Sequence, residues 1–100
     1  HPDPRPGITA ANVLTDGDVP ARAREAYRVA REIPGILDGI YCHCDCAERD
    51  GKRSLLGCFE GKMASTCGIC RGEATLAGRL NAKGKSLDEI RAAVDDEYGR

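Results

Sequence analysis

The chain has 100 residues, of which 41% are apolar, 31% charged and 4% aromatic, which is typical of one small soluble domain. Its 15 basic and 16 acidic residues leave a formal net charge of −1, which argues against nucleic acid or an anionic membrane surface as a partner. No apolar run reaches the roughly 18 to 20 residues that span a bilayer, and the start at His1 leaves room for a removed export signal or lipid anchor.

The first part of the chain predicts an arm followed by a helix. Residues 1–18 are rich in proline and lack a sustained hydrophobic period, so we expect an extended or flexible arm before a helical domain over 19–100. Apolar residues at steps of three or four predict an amphipathic helix from Val19, with Asp18 as N-cap and Pro20 in the first turn. Pro34 either ends this helix or starts a short second one. Four arginines on its other faces are expected to be solvated, with an acidic partner as the alternative: Arg22, Arg24, Arg28 and Arg31.

Two further helices are predicted after a glycine-rich loop over 41–65, which contains a charged turn at 48–53. The loop is expected to be anchored by Leu55, Leu56 and Phe59. One helix is predicted to start at Cys67 after a Thr66 cap and to stop near Lys83 and Gly84. The other helix is predicted to follow a capping box formed by Ser86 and Glu89 and to stop at Gly99. The pattern predicts an all-α domain, a bundle of about three principal helices with a cysteine-rich loop that carries a metal site.

Six cysteines within 29 positions dominate the chemistry of the sequence. Cys42, Cys44 and Cys46 alternate, so an extended backbone points their sulfurs to one side, at a spacing too wide for easy disulfide formation within the triplet. Cys67 and Cys70 form a CxxC pair at a predicted helix start, where the helix dipole is expected to lower thiol pKa values. Cys58 lies between the two groups and could complete the set.

Six convergent thiolates exceed the four that one zinc ion needs, so the set favours a polynuclear cluster of several Cu(I) ions. The predicted ligands are Cys42, Cys44, Cys46, Cys58, Cys67 and Cys70, with His43 and Met63 as additional candidates of weaker signal. Since ligands must lose protons and preformed sites are rare in unfolded chains, metal removal is expected to loosen the domain.

Several other interpretations of the cysteines stay open. Three disulfides would staple a small exported module without metal, four of the cysteines could hold a structural zinc, and an iron–sulfur cluster would also use thiolates. A thiol oxidoreductase acting through Cys67 and Cys70 is a minor alternative, because the strand-rich βαβ context of that motif is lacking. No other catalytic set is evident, so we expect a binding protein and not an enzyme.

The order Tyr41-Cys42-His43-Cys44-Asp45-Cys46, followed by Gly57-Cys58-Phe59 and Cys67-Gly68-Ile69-Cys70, resembles the bacterial PCYCGC-motif proteins. The resemblance spans about 33–98 and keeps the three cysteines of the motif, while Tyr41, His43 and Asp45 replace its proline, tyrosine and glycine. Members of that family are often exported or lipid-anchored, so the resemblance implies a periplasmic or lipid-anchored location. The resulting hypothesis is extracytoplasmic copper buffering, storage or delivery, with a copper-handling or electron-transfer protein as partner.

Overall fold

A computed structural model describes residues 1–44 and 53–99, and within these ranges the chain is helical and contains no strand. We number the α-helices in chain order as α1 (Arg24–Glu32), α2 (Pro34–Leu37), α3 (Gly68–Ala82) and α4 (Leu87–Tyr98). Five 3-10 turns complete the described elements: Ala10–Asn12, Asp16–Asp18, Ala21–Ala23, Leu55–Cys58 and Met63–Thr66. The predicted all-α fold is confirmed, with α1, α3 and α4 as its principal helices.

The first principal helix begins later than the sequence predicts. Val19 and Pro20 are extended, with ψ values of 154° and 157°, and they separate the 3-10 turn Asp16–Asp18 from the 3-10 turn Ala21–Ala23. The residue before a proline is biased away from the helical region, and Val19 follows that bias. Asp18 therefore does not cap α1; its carboxylate accepts hydrogen bonds from the backbone N–H and the hydroxyl of Thr15.

The start of α3 also differs from the prediction, whereas its end does not. Thr66 belongs to a 3-10 turn, and its hydroxyl donates to the carbonyl of Met63 instead of accepting from the helix. Cys67 is the residue before the helix and has extended backbone, with φ −118° and ψ 108°. The helix ends at Ala82, and Gly84 has the positive φ of 80° that a helix-terminating glycine adopts.

The last helix is the one that the sequence describes best. Ser86 Oγ accepts from the N–H of Glu89 at 3.2 Å, and the Glu89 carboxylate accepts from the N–H of Ser86 at 3.0 Å. This is the predicted capping box, and Gly99 follows the last helical residue as expected. Ile90 and Val94 are fully buried on the face of α4 that meets α3.

Helix α3 lies at the centre of the fold, because it packs against both α1 and α4. Two of its glycines permit close approach: Gly78 faces Val29 of α1, and Gly72 faces Tyr98 of α4. The aromatic part of the core is an edge-on pair, Tyr27 and Phe59, with ring centroids 4.8 Å apart. The largest apolar side chains without exposure are Tyr27, Phe59, Leu37, Ile40, Leu55, Leu56, Ile90 and Val94. The predicted loop anchors Leu55, Leu56 and Phe59 are therefore confirmed as core residues, while the predicted turn at 48–53 lies almost wholly outside the described residues.

Residues before 19 contribute to the packed structure. Val13 is buried in the core, and Arg5 binds the buried carboxylate of Asp38 through its backbone N–H at 2.6 Å and its guanidinium at 2.9 Å. Arg53 and Ser54 donate to the same carboxylate at 2.7 Å and 2.8 Å. This network joins three distant parts of the chain. Within the described ranges, no helix has the length and apolarity that crossing a membrane requires.

Candidate metal centre

Two cysteines of the predicted triplet lie side by side in the segment after α2. The Sγ atoms of Cys42 and Cys44 are 3.3 Å apart, as expected for alternate residues that point to the same side. Helix α3 holds the residue between them, because the backbone N–H of His43 donates a 2.8 Å hydrogen bond to Glu73 Oε2. The segment is thereby fixed against the helix that carries Cys70.

Two more sulfurs come from separate elements. Cys70 lies in the first turn of α3, with its Sγ 3.0 Å from that of Cys42 and 3.4 Å from that of Cys44. Cys58 is the last residue of the 3-10 turn Leu55–Cys58. The four Sγ atoms all lie within 4.8 Å of one another, and we call Cys42, Cys44, Cys58 and Cys70 the four-cysteine cluster.

The cluster has the donor type, spacing and burial of a soft-metal site. Cys42, Cys58 and Cys70 are at most 1% exposed, and four thiolates are a ligand set that soft and borderline metal ions prefer. Sulfurs around one tetrahedral ion with bonds of about 2.3 Å are about 3.8 Å apart. The Sγ atoms of Cys42, Cys44 and Cys70 are 3.0 to 3.4 Å apart, which is within about 1 Å of that value, and no pair among the four sulfurs exceeds 4.8 Å. The cluster can therefore hold metal after small side-chain movements.

Contact between the thiols and their burial both oppose ionisation. The pKa of Cys42 is raised to about 11, first by its hydrogen bond with Cys58 and also by burial, while its hydrogen bond with Cys70 acts in the opposite direction. The pKa of Cys70 is raised strongly by contact with Cys42 and Cys58 and by burial. The predicted lowering of the pKa at the helix start is therefore wrong for Cys70. A cation that binds here displaces protons, so its affinity rises with pH.

Cys44 differs from the other described cysteines because it is disulfide-bonded. Cys42, Cys58, Cys67 and Cys70 form no disulfide, so no disulfide joins two of the described cysteines. Since the thiolate is the form that ligates metal, Cys44 becomes a ligand only after reduction.

The remaining predicted ligands lie elsewhere or outside the described residues. Cys67 is half-buried and is not part of the cluster; it precedes α3, so the helical spacing that would bring it beside Cys70 does not apply. Met63 is half-buried and packs against the core. The ring of His43 points away from the sulfurs to Asp95, with Nε2 2.8 Å from Asp95 Oδ1. Cys46 is outside the described residues.

The buried acid beside the cluster is Glu73, which the sequence patterns did not predict. Glu73 has no exposed surface, its Oε2 accepts the His43 N–H, and its Oε1 has no hydrogen-bond partner within the described part of the chain. Burial, with smaller contributions from Cys42 and Asp95, raises the pKa of Glu73 to about 8, against the lowering effect of the His43 N–H. Its position three residues after Cys70, on the same helix face, was the available signal. His1 and Asp95 were also not selected from the sequence.

Comparison with known proteins gives one match. The family model described as a protein of unknown function with PCYCGC motif covers residues 11–100. No curated protein and no solved structure matches the chain. Cys42, Cys44 and Cys58 lie within the matched region together with Cys70, so the whole four-cysteine cluster belongs to the part that the family shares. The chain is a member of the PCYCGC-motif family.

Proposed function

We propose that the protein binds several Cu(I) ions through the four-cysteine cluster and serves copper buffering, storage or delivery in an extracytoplasmic compartment. The observation that carries the proposal is the convergence of four sulfurs from three separate elements to within 4.8 Å of one another. Thiolates are soft ligands, and monovalent copper is one of the soft metal ions that they bind, beside zinc and iron in iron–sulfur clusters.

The charge around the cluster favours several monovalent ions over one divalent ion. Four thiolates around one Zn²⁺ leave two negative charges, which are costly to bury without a counter-charge. The buried ionisable group next to Cys42 is Glu73, an acid, and it cannot supply that counter-charge. Each additional Cu(I) offsets one thiolate charge, so a polynuclear loading fits the buried acidic surroundings better than a single ion does.

Oxidation of Cys44 fits a role in which the copper content changes. With Cys44 in a disulfide, three cluster thiols are available, and with Cys44 reduced, four are. A protein that buffers or delivers copper must release it, and loss of one ligand lowers affinity. The exported location is supported by the family resemblance, and delivery would require a copper-accepting partner protein. Fractionation of cells that produce the full-length gene product tests the location; recovery in the cytoplasm would contradict it.

Metal content of the reduced protein tests the function. Protein purified without added metal is reduced under anaerobic conditions, equilibrated with Cu(I) held by a competing chelator, and desalted; metal and denatured thiols are then counted. We expect more than one copper per chain. Three results would each contradict the proposal. They are one zinc per four thiols, iron with visible absorption, and a protein that has no thiols before reduction and takes up no copper after it.

A matched pair of substitutions locates the ligands. Cys70→Ser removes a cluster sulfur, whereas Cys67→Ser removes the other cysteine of the same CxxC pair, which is outside the cluster. We expect Cys70→Ser to lose at least half of the bound copper and Cys67→Ser to keep the wild-type amount. Circular dichroism checks that both variants fold. Equal losses in the two folded variants would show that the cluster is not the copper site.

A further inference from the structure

Both histidines of the chain converge on one carboxylate at the surface beside the four-cysteine cluster. The Nε2 atoms of His1 and His43 each lie 2.8 Å from Asp95 Oδ1. These three ligand atoms are all within 4.8 Å of one another, although the residues are far apart in sequence. The fold thus gathers two imidazoles and a carboxylate at one point.

The three side chains are held by neighbours on several sides. The His43 backbone N–H is bound by Glu73 Oε2, and the ring of Tyr41 lies edge-on to the His43 ring, with centroids 5.0 Å apart. The N–H of Tyr41 donates to His1 Nδ1 at 2.9 Å, which places the His1 proton on Nε2, facing Asp95. A neutral imidazole that binds a metal ion through Nε2 carries its proton on Nδ1, so at His1 metal binding would move the proton from Nε2 to Nδ1 and break the hydrogen bond from the Tyr41 N–H.

The donor set belongs to a different class of metal from the cysteine cluster. Two imidazole nitrogens and one carboxylate oxygen are typical ligands of Zn²⁺ and similar divalent ions, and they leave a fourth position for water. The side chains of His1, His43 and Asp95 are 14%, 19% and 50% exposed, so the site is reachable from solvent. Cu(I) in the buried sulfur cluster and a divalent ion at the surface would not compete for the same ligands.

We propose that His1, His43 and Asp95 form a second metal site, which binds a divalent ion of the Zn²⁺ class. His43 lies between Cys42 and Cys44, so the two sites share one short segment of backbone. Loading of either site fixes that segment and favours loading of the other. The second site does not depend on the identity of the metal in the four-cysteine cluster.

Imidazole NMR signals test the site directly, because the chain contains just two histidines. Reduced full-length protein is titrated with Zn²⁺ while imidazole ¹⁵N shifts and bound zinc are followed. We expect both histidines to respond with the same Zn²⁺ dependence, with one zinc bound beyond those held by thiols. Asp95→Asn should weaken this response about tenfold or more, and Glu97→Gln, an exposed acid on the same helix, should leave it unchanged.

The same titration in Cys70→Ser separates the second site from the cysteine cluster. The histidine response should persist in this variant, even if the cluster proves not to bind copper. Histidines that do not respond, that respond independently of each other, or that respond equally in Asp95→Asn and Glu97→Gln would overturn the second site.

Discussion

Replacement of Glu73 by glutamine should change the pH dependence of stability of the metal-free, reduced protein. The pKa of Glu73 rises from 4.5 to about 8 on folding, mainly because the side chain is buried. A carboxyl whose pKa is raised in the folded state stabilises the fold while it is protonated and loses this effect when it ionises. The contribution of Glu73 to the unfolding free energy is therefore fully present below about pH 4.5 and is lost as the pH rises to about 8. Glutamine stays neutral and keeps an oxygen that can accept the His43 N–H.

The magnitude follows from the two pKa values. At about 1.36 kcal/mol per pH unit, the difference between 4.5 and about 8 corresponds to about 5 kcal/mol of unfolding free energy. This is comparable with the whole stability of many small domains, about 5 to 15 kcal/mol. The glutamine amide can lose about 1 kcal/mol at the position of the unpartnered Oε1, but that loss does not vary with pH.

Urea unfolding at pH 5, 6.5 and 8 measures the effect, with reductant and a metal chelator present. We expect Glu73→Gln to gain stability relative to wild type by several kcal/mol between pH 5 and pH 8. Glu97→Gln, an exposed acid on α4, serves as the control and should show no such gain. The same cysteines are present in all three proteins, so their own contribution to the pH dependence cancels in the comparison. A difference between Glu73→Gln and wild type that is the same at every pH would refute the reasoning.

Three other predictions, made with four substitutions, test the interactions that stabilise the fold around the site. Asp38→Asn should lose about 2 kcal/mol of unfolding free energy at pH 7, because hydrogen bonds from arginine and serine partners hold the pKa of this buried carboxyl at about 2, against the raising effect of burial. The loss should vanish as the pH falls from 3.8 to about 2, where the wild-type carboxyl becomes protonated. Urea unfolding at pH 7 and at the low end of that range measures the difference. Gly78→Ala would place a Cβ 2.9 Å from a Val29 methyl, so it should lower the melting temperature, while Gly35→Ala, where the Cβ meets nothing within 4 Å, should keep or raise it. Ser86→Ala should cost about 1 kcal/mol by thermal unfolding through loss of the N-cap; no change would mean that the capping box adds nothing.

Local signals in the sequence predicted the helices where local chemistry decides the structure. The capping box at Ser86, the glycine stop at Gly84 and the apolar periodicity of α4 all act within a few residues, and the structure confirms each. The start of α1 was misplaced because the bias of Val19 before Pro20 outweighed the amphipathic period. The existence of the principal helices and the start of α4 were predictable, whereas the starts of α1 and α3 required the backbone angles.

The candidate site was predictable in its chemistry and only partly in its membership. Alternation correctly paired Cys42 with Cys44, since that is a property of two positions two apart. Cys58 and Cys70 joined them through tertiary packing, and Cys67 did not, because the helix starts one residue later than its CxxC spacing suggests. The spacing of three residues places Glu73 on the same face of α3 as Cys70, but the complete burial of Glu73 depends on the packing of α3 against its neighbours, which that spacing does not encode.

Because side chains alternate in direction at Cys42, His43 and Cys44, the two metal-ligand sets depend on the register of this segment. Neighbouring side chains face opposite ways, so the sulfurs meet Cys70 while the imidazole between them meets Asp95. Insertion or deletion of one residue before Cys42 would exchange the two directions and present nitrogen to the buried sulfurs and sulfur to the surface carboxylate. Alternation over three consecutive positions therefore places the sulfur donors of Cys42 and Cys44 on one side of the backbone and the nitrogen donor of His43 on the other. Substitution of either donor type leaves the backbone position of the other unchanged.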